Sequence, residues 1–136
     1  MIYLDSAAVV KLVRVEAESA ALVSWLNAQP AQPLVASVLV EVEVPRALRR
    51  SQPGVLAGVA EVLGRLHRVE INAAVRTIAG AYQDAMLCSL DAIHLATAEL
   101  LTASGGTITA FVTYDKRLAE SARQAGIPVI LPGQAS

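Results

Sequence analysis

The sequence predicts an α/β fold: a mainly parallel central sheet with helices on both of its faces. Three observations carry that prediction. Short runs rich in Val, Ile and Leu alternate along the chain with longer stretches whose apolar residues recur every three or four positions, the pattern of strand–helix–strand units. Those short runs are apolar at nearly every position rather than at alternate ones, as in strands buried on both faces. Hydrophobic residues make up 54% of the 136, yet no run approaches the roughly 18 uninterrupted apolar residues of a membrane span. The surplus therefore belongs inside a doubly covered sheet and at a subunit interface. The length fits one domain over residues 1–136, large enough to bury a real core.

The elements follow in order. Ile2-Tyr3-Leu4 is a short buried strand ending at Asp5, and residues 6 to 13 form a helix. Glu16 to Asn27 places Ala20, Leu22, Val23 and Leu26 on one face of an amphipathic helix, which Gln29-Pro30-Ala31-Gln32-Pro33 breaks. Leu34-Val35-Ala36 is the second strand, and Ser37 suits the N-cap of a helix reaching Arg50. Pro45 lies inside that helix, where a proline costs about 3 kcal/mol. The helix accordingly bends near Glu41 and Val42 or begins later than Ser37. After the turn Ser51-Gln52-Pro53-Gly54 come a helix over Val55 to Leu66, a strand over His67 to Ile71, and a helix capped by Asn72 that reaches about Met86. Between Cys88 and Leu101, the residues Leu90, Ile93, Leu95, Ala98 and Leu101 recur at helical spacing, with Ser89 as N-cap and Asp91 in the first turn. Ser104-Gly105-Gly106 stops this helix. Ile108 to Thr113 is a strand, Lys116 to Gln124 a helix stopped by Gly126, and Pro128 to Leu131 the last strand.

Eleven Lys and Arg against twelve Asp and Glu give a net charge of -1, which supplies no general attraction for nucleic acid or membrane. A polyanionic partner needs locally placed arginines or metal ions. A single cysteine excludes an internal disulfide, and the N-terminus has no signal-peptide pattern, so a cytoplasmic location without membrane attachment is expected.

The acids carry the functional reading. Ligands of parallel sheets sit beyond the carboxyl ends of the strands. Asp5 and Asp115 each follow a strand, Asp91 opens the helix before the strand that leads to Asp115, and the helix after the second strand carries Glu41 and Glu43. Those two glutamates point to nearly opposite sides, so they cannot serve one site together. Four acids from four segments can thus meet on one rim. Converging carboxylates repel one another, and a hard divalent cation such as Mg²⁺ or Mn²⁺ relieves that cost. Each residue also has an ordinary role. Asp5 and Asp115 suit helix caps, Asp91 suits the helix dipole, and Glu43 suits a surface pair with Arg46. His94, one turn beyond Asp91, is either a packed, hydrogen-bonded imidazole or a support behind the acids. Arg46, Arg49 and Arg50 form a stripe that is solvated or steers phosphates. Cys88 reads as a small core residue.

Four segments together resemble the PIN-domain ribonucleases, and among them the VapC toxins of VapBC toxin–antitoxin pairs. They are Ile2-Tyr3-Leu4-Asp5-Ser6-Ala7, Ser37 through Glu43 to Arg46-Ala47-Leu48, Leu90-Asp91-Ala92-Ile93-His94-Leu95-Ala96-Thr97-Ala98, and Phe111-Val112-Thr113-Tyr114-Asp115-Lys116-Arg117-Leu118. The resemblance implies a three-layer α/β/α sandwich and Asp5, Glu43, Asp91 and Asp115 as catalytic, metal-binding acids. It prefers Glu43 to Glu41 because the spacing to Ser37 and Arg46 matches the family, although Pro45 departs from its pattern. Thr113 then supports the site from its strand end. Further implications are Mg²⁺, with Mn²⁺ able to substitute, an RNA substrate, a homodimer and a VapB-type antitoxin. The implied reaction is in-line hydrolysis by metal-activated water, leaving a 5′ phosphate and a 3′ hydroxyl. A phosphoacceptor receiver domain requires an acidic pair after the first strand, where Ser6-Ala7 follows Asp5, and a lysine after the last, where Pro132-Gly133 follows Leu131. The surviving rival is a catalytically silent binding module of the same fold.

Overall fold

A computed structural model describes residues 1–134; Ala135 and Ser136, the end of the expected domain, lie outside the described residues. The strands are β1 (Ile2–Leu4), β2 (Leu34–Ser37), β3 (His67–Val69), β4 (Ala110–Val112) and β5 (Val129–Ile130). The helices are α1 (Ser6–Val13), α2 (Ser19–Asn27), α3 (Val40–Ser51), α4 (Val59–Gly64), α5 (Ala73–Ala81), α6 (Ser89–Ala103) and α7 (Lys116–Gln124). All strand pairings are parallel, in the order β3-β2-β1-β4-β5. No helix among the described residues is long and apolar enough to cross a membrane.

Period-two alternation along very short strands builds a core on each face. From β1, Ile2 and Leu4 join Val9, Leu22, Val44 and Leu48 beneath α1 to α4, whereas Tyr3 joins Leu95, Phe111 and Leu118 beneath α6 and α7. Helix layers on both faces explain why these strands carry no polar alternation. The chain winds from β1 through β2 to β3, then returns to the other side of β1 with β4. The winding reverses between β1 and β4, the place where folds of this kind bind ligands beyond the strand ends.

Several boundaries differ from the expected ones. Strand β4 covers Ala110–Val112 rather than Ile108 to Thr113, because β1 offers only Ile2, Tyr3 and Leu4 as partners. Likewise β3 stops at Val69, which faces Ser37 at the end of β2. Helix α3 begins at Val40, later than Ser37, and Pro45 still lies inside it, where it cannot donate to the Glu41 carbonyl. Ser37 is not its N-cap; its Oγ accepts the Leu39 amide at 3.1 Å and so shapes the turn into α3. The expected helix over Val55 to Leu66 is a 3₁₀ segment, Pro53–Gly58, followed by α4; Pro53 stands in the first turn of that segment, where its missing N–H costs nothing. Helix α2 starts at Ser19 rather than Glu16, because Glu16 and Glu18 turn to bind Lys11. Helix α5 ends at Ala81, since Tyr82 is extended and the Asp84 carboxylate accepts the Met86 amide at 2.9 Å in a turn.

Both glycine stops stand where they are expected. After α7, Gly126 has φ +80°, its amide donates to the Arg123 carbonyl at 2.9 Å, and the Ile127 amide donates to the Ala122 carbonyl at 3.0 Å. This is a Schellman closure, and a Cβ at that φ is strained by about 1 kcal/mol. Gly126→Ala is expected to lower the melting temperature by about 2 to 6 °C while leaving the opposite rim untouched. Differential scanning calorimetry measures the shift.

Candidate active site

Two adjacent strands deliver three polar side chains to the rim beyond their carboxyl ends. Asp5 follows β1 and is only 4% exposed. Its Oδ1 accepts the Ala8 amide at 2.9 Å, capping α1, and its Oδ2 accepts the Thr113 hydroxyl at 2.6 Å. Thr113, just past β4, also accepts the Asp115 amide on its Oγ at 3.1 Å. Asp115 caps α7 by accepting the Leu118 amide at 2.9 Å. The capping role of both aspartates is therefore real. It coincides with the rim because in this fold α1 and α7 start where β1 and β4 end.

Asp91 is the third residue of α6 and half-buried. The N-cap position belongs to Cys88, not Ser89, and Cys88 is exposed rather than in the core. It lies ahead of the buried part of α6, and its thiol donates to Asp91 Oδ2 at 3.1 Å. Glu43 turns inward from the first turn of α3. Its Oε1 accepts the Ser6 hydroxyl at 2.6 Å and lies 3.0 Å from His94 Nε2. The expected Glu43–Arg46 pair is absent, because Glu43 faces Ser6 and His94, while Arg46, Arg49 and Arg50 are exposed. Glu41, two residues earlier and so about 160° around the helix, is exposed and pairs with Arg68 of β3 at 3.2 Å. His94 is buried at 2% exposure, so it is a packed, hydrogen-bonded imidazole that also touches an acid of the rim.

Asp5 and Asp91 feel both their burial and the charges of neighbouring acids. Burial pushes the Asp5 carboxyl above its usual range, and the Asp91 charge adds to this against the opposing pull of His94 and Thr113. Burial also raises Asp91, with the charges of Asp115 and Glu43 acting in the same sense and the Cys88 hydrogen bond opposing. For Glu43, burial pushes upward, but hydrogen bonds from His94 and Ser6 prevail and hold the carboxyl below its usual value. Among the described residues no Lys or Arg pairs with Asp5, Asp91 or Asp115. An anionic rim made of hard oxygen donors matches the chemistry of a divalent cation. As they stand, however, no three acidic, His or Cys side chains among the described residues are gathered tightly enough to hold an ion.

No local pattern assigns a site role to two participants, Tyr3 and Ser6. Tyr3 is a core residue by pattern, and only the packing of α6 on β1 brings its hydroxyl within 2.8 Å of His94 Nδ1. Ser6 follows Asp5 as the first residue of α1, where serine is unremarkable.

The PIN domain family model matches residues 2–124. Ribonuclease VapC35 of Mycobacterium tuberculosis (strain ATCC 25618 / H37Rv) is 49% identical over 135 residues, covering 99% of each chain. Among solved structures, a toxin–antitoxin complex from Klebsiella pneumoniae contains a chain with TM-score 0.71 and 20% identity, covering 99% of this chain and 100% of that one. FitAcB from Neisseria gonorrhoeae gives TM-score 0.72 and 18% identity, with the same coverage. At such identities these two structures establish a shared fold, whereas the family model and the 49% relative establish kinship: the chain belongs to the PIN-domain family, in its VapC branch.

Proposed function

We propose that this protein is a divalent-metal-dependent endoribonuclease, the toxin of a type II toxin–antitoxin pair, hydrolysing RNA phosphodiester bonds at the rim beyond β1 and β4. The proposal is supported by Asp91 lying within electrostatic reach of Asp5, Glu43 and Asp115, acids from four separate segments, and by the lack, among the described residues, of any Lys or Arg paired with the three aspartates. Its ribonuclease character is supported by the near-full-length relative named a ribonuclease. In this reading the four acids would hold Mg²⁺, or Mn²⁺ in its place. When bound, the ion supplies Lewis acidity, a lowered pKa for water, and charge to offset the departing oxygen.

The chain's own groups do the rest. Thr113 and the α1 cap fix both oxygens of Asp5, so its orientation is set before any ligand arrives. His94 and Ser6 keep Glu43 ionised and aimed. Arg46, Arg49 and Arg50, exposed on the helix that carries Glu43, offer charge to the sugar–phosphate chain that a net charge of -1 cannot supply. No step requires the 2′-hydroxyl, so the products carry a 5′ phosphate and a 3′ hydroxyl. The toxin–antitoxin complex among the structural neighbours supports a VapB-type antitoxin as partner; a cytoplasmic location fits the single cysteine. A homodimer fits the high apolar content.

The rival, a catalytically silent module, rests on the capping roles of Asp5 and Asp115. A generic single-stranded RNA incubated with excess chelator, then with added Mg²⁺ or Mn²⁺, separates the two. The ribonuclease is silent in chelator and cleaves on metal addition; undiminished cleavage in chelator contradicts the metal-dependent scheme, and no cleavage under any condition favours the silent module. Within the same assay Glu43→Gln is expected to cost at least about 100-fold. Glu41→Gln, which disturbs only an exposed pair with Arg68, should stay within about 2-fold.

A further inference from the structure

Five groups behind the rim form one continuous hydrogen-bonded path. The Ser37 amide, at the end of β2, donates to the Tyr3 hydroxyl oxygen at 3.2 Å. That hydroxyl lies 2.8 Å from His94 Nδ1. On the far side of the ring, Nε2 lies 3.0 Å from Glu43 Oε1 and 3.1 Å from Ser6 Oγ. Ser6 donates its one hydroxyl proton to Glu43 Oε1 at 2.6 Å. Tyr3 is fully buried and His94 nearly so.

Proton accounting leaves one arrangement of the neutral ring. Because the Ser6 proton points at Glu43, the Ser6 oxygen can only accept from Nε2, and a carboxylate oxygen can only accept as well. Nε2 must then carry the ring proton. Nδ1 is left as an acceptor, and the Tyr3 hydroxyl, which already accepts from Ser37, fills it by donating. Every proton on the path thus points toward Glu43, and each bond polarises the next. The same accounting removes a tempting alternative. Ser6 and His94 stand at the separation of a nucleophile and its base, but Nε2 already bears a proton and cannot take another from Ser6.

We infer that Tyr3 and Ser6 are positioning residues for the cleavage reaction: Tyr3, by fixing the His94 tautomer, and Ser6, directly, aim and hold the Glu43 carboxylate. The role in cleavage rests on the ribonuclease reading above, whereas the tautomer does not. The path joins β2, β1, α6, α1 and α3, so it also ties the helix carrying Glu43 to the strand that precedes it.

Nitrogen-15 NMR of histidine-labelled protein, without metal or RNA and at a pH high enough that both rings are neutral, reads the tautomer directly. The chain has two histidines, and exposed His67 serves as reference. The expected spectrum shows His94 as a single tautomer protonated on Nε2, with Nδ1 as a hydrogen-bonded acceptor. In Tyr3→Phe that preference weakens, and kcat on RNA falls by about 10- to 100-fold, as is usual for supports of ligand residues, while KM stays within about 2-fold. Ser6→Ala lowers kcat in the same way, Ser6→Thr restores it, and Ser6 tests the role without disturbing the core. A wild-type His94 protonated on Nδ1, or exchanging between tautomers, overturns the inference. Tyr3→Phe and Ser6→Ala enzymes with wild-type kcat overturn it while leaving the ribonuclease reading intact. A wild-type protein that cleaves no RNA ends that reading, and the positioning role with it, whatever the tautomer.

Discussion

Asp5→Asn is expected to abolish RNA cleavage, by on the order of 10³-fold or more, and at the same time to raise the melting temperature of the metal-free protein at neutral pH. The loss follows from removing one of the anions proposed to hold the cation, whose transition-state stabilisation of several kcal/mol corresponds to that factor. The gain in stability follows from burial. The Asp5 carboxyl is raised in the folded state above its ordinary value, chiefly by desolvation and further by the Asp91 charge. A group whose folded pKa is raised contributes stability below its unfolded pKa and loses that contribution as pH climbs through the folded one. At pH 7 the wild-type carboxylate is therefore a burden that asparagine does not carry. Asparagine can still cap α1 by accepting the Ala8 amide, and its NH₂ can donate to Thr113 Oγ. Melting curves of the two proteins should diverge at pH 7 and converge as pH falls through the carboxylate range. A destabilised Asp5→Asn at pH 7 would mean that the charge supports the fold.

The second large effect is on the fold. Phe111→Ala is expected to remove about 3 to 5 kcal/mol, a large part of the 5 to 15 typical of a domain. Phe111 is fully buried in β4, its ring stacked on that of Tyr3 with centroids 4.9 Å apart and an 8° tilt. With a denaturant slope near 1.5 kcal/mol per molar urea, the unfolding midpoint should fall by about 2 to 3 M. A fall below about 0.5 M would show that the core beneath α6 and α7 repacks freely. Tyr3 also meets the His94 ring edge-on at 5.9 Å, so the substitution reaches the rim as well as the core.

Much of this arrangement was readable from short-range signals. Asp5, Asn72 and Asp115 each accept an amide three residues ahead, and that local geometry marks the starts of α1, α5 and α7. Positive-φ glycines at 105 and 126 mark the ends of α6 and α7. Acids that directly follow apolar runs belong on the rim of a parallel sheet, which is why the positions of Asp5 and Asp115 at the ends of β1 and β4 are legible in the sequence. Partner-dependent features escaped. How far β4 and β3 run depends on how many residues β1 and β2 present to them. Cys88 looked like a core residue because its neighbours are apolar, yet it precedes the first turn of α6 and stays exposed. The inward turn of Glu43 depends on Ser6, 37 positions away, and His94, 51 positions away, and no local period records either.

The central claim is that Asp5, Glu43, Asp91 and Asp115 act on one divalent cation, and calorimetric titration of Mn²⁺ and Mg²⁺ into the metal-free protein tests it most directly. The account predicts saturable binding by the wild type and a weakening of at least about 10-fold in each of Asp5→Asn, Glu43→Gln, Asp91→Asn and Asp115→Asn, with Glu41→Gln unchanged. A wild type that binds neither ion, or four variants that bind as it does, would contradict it.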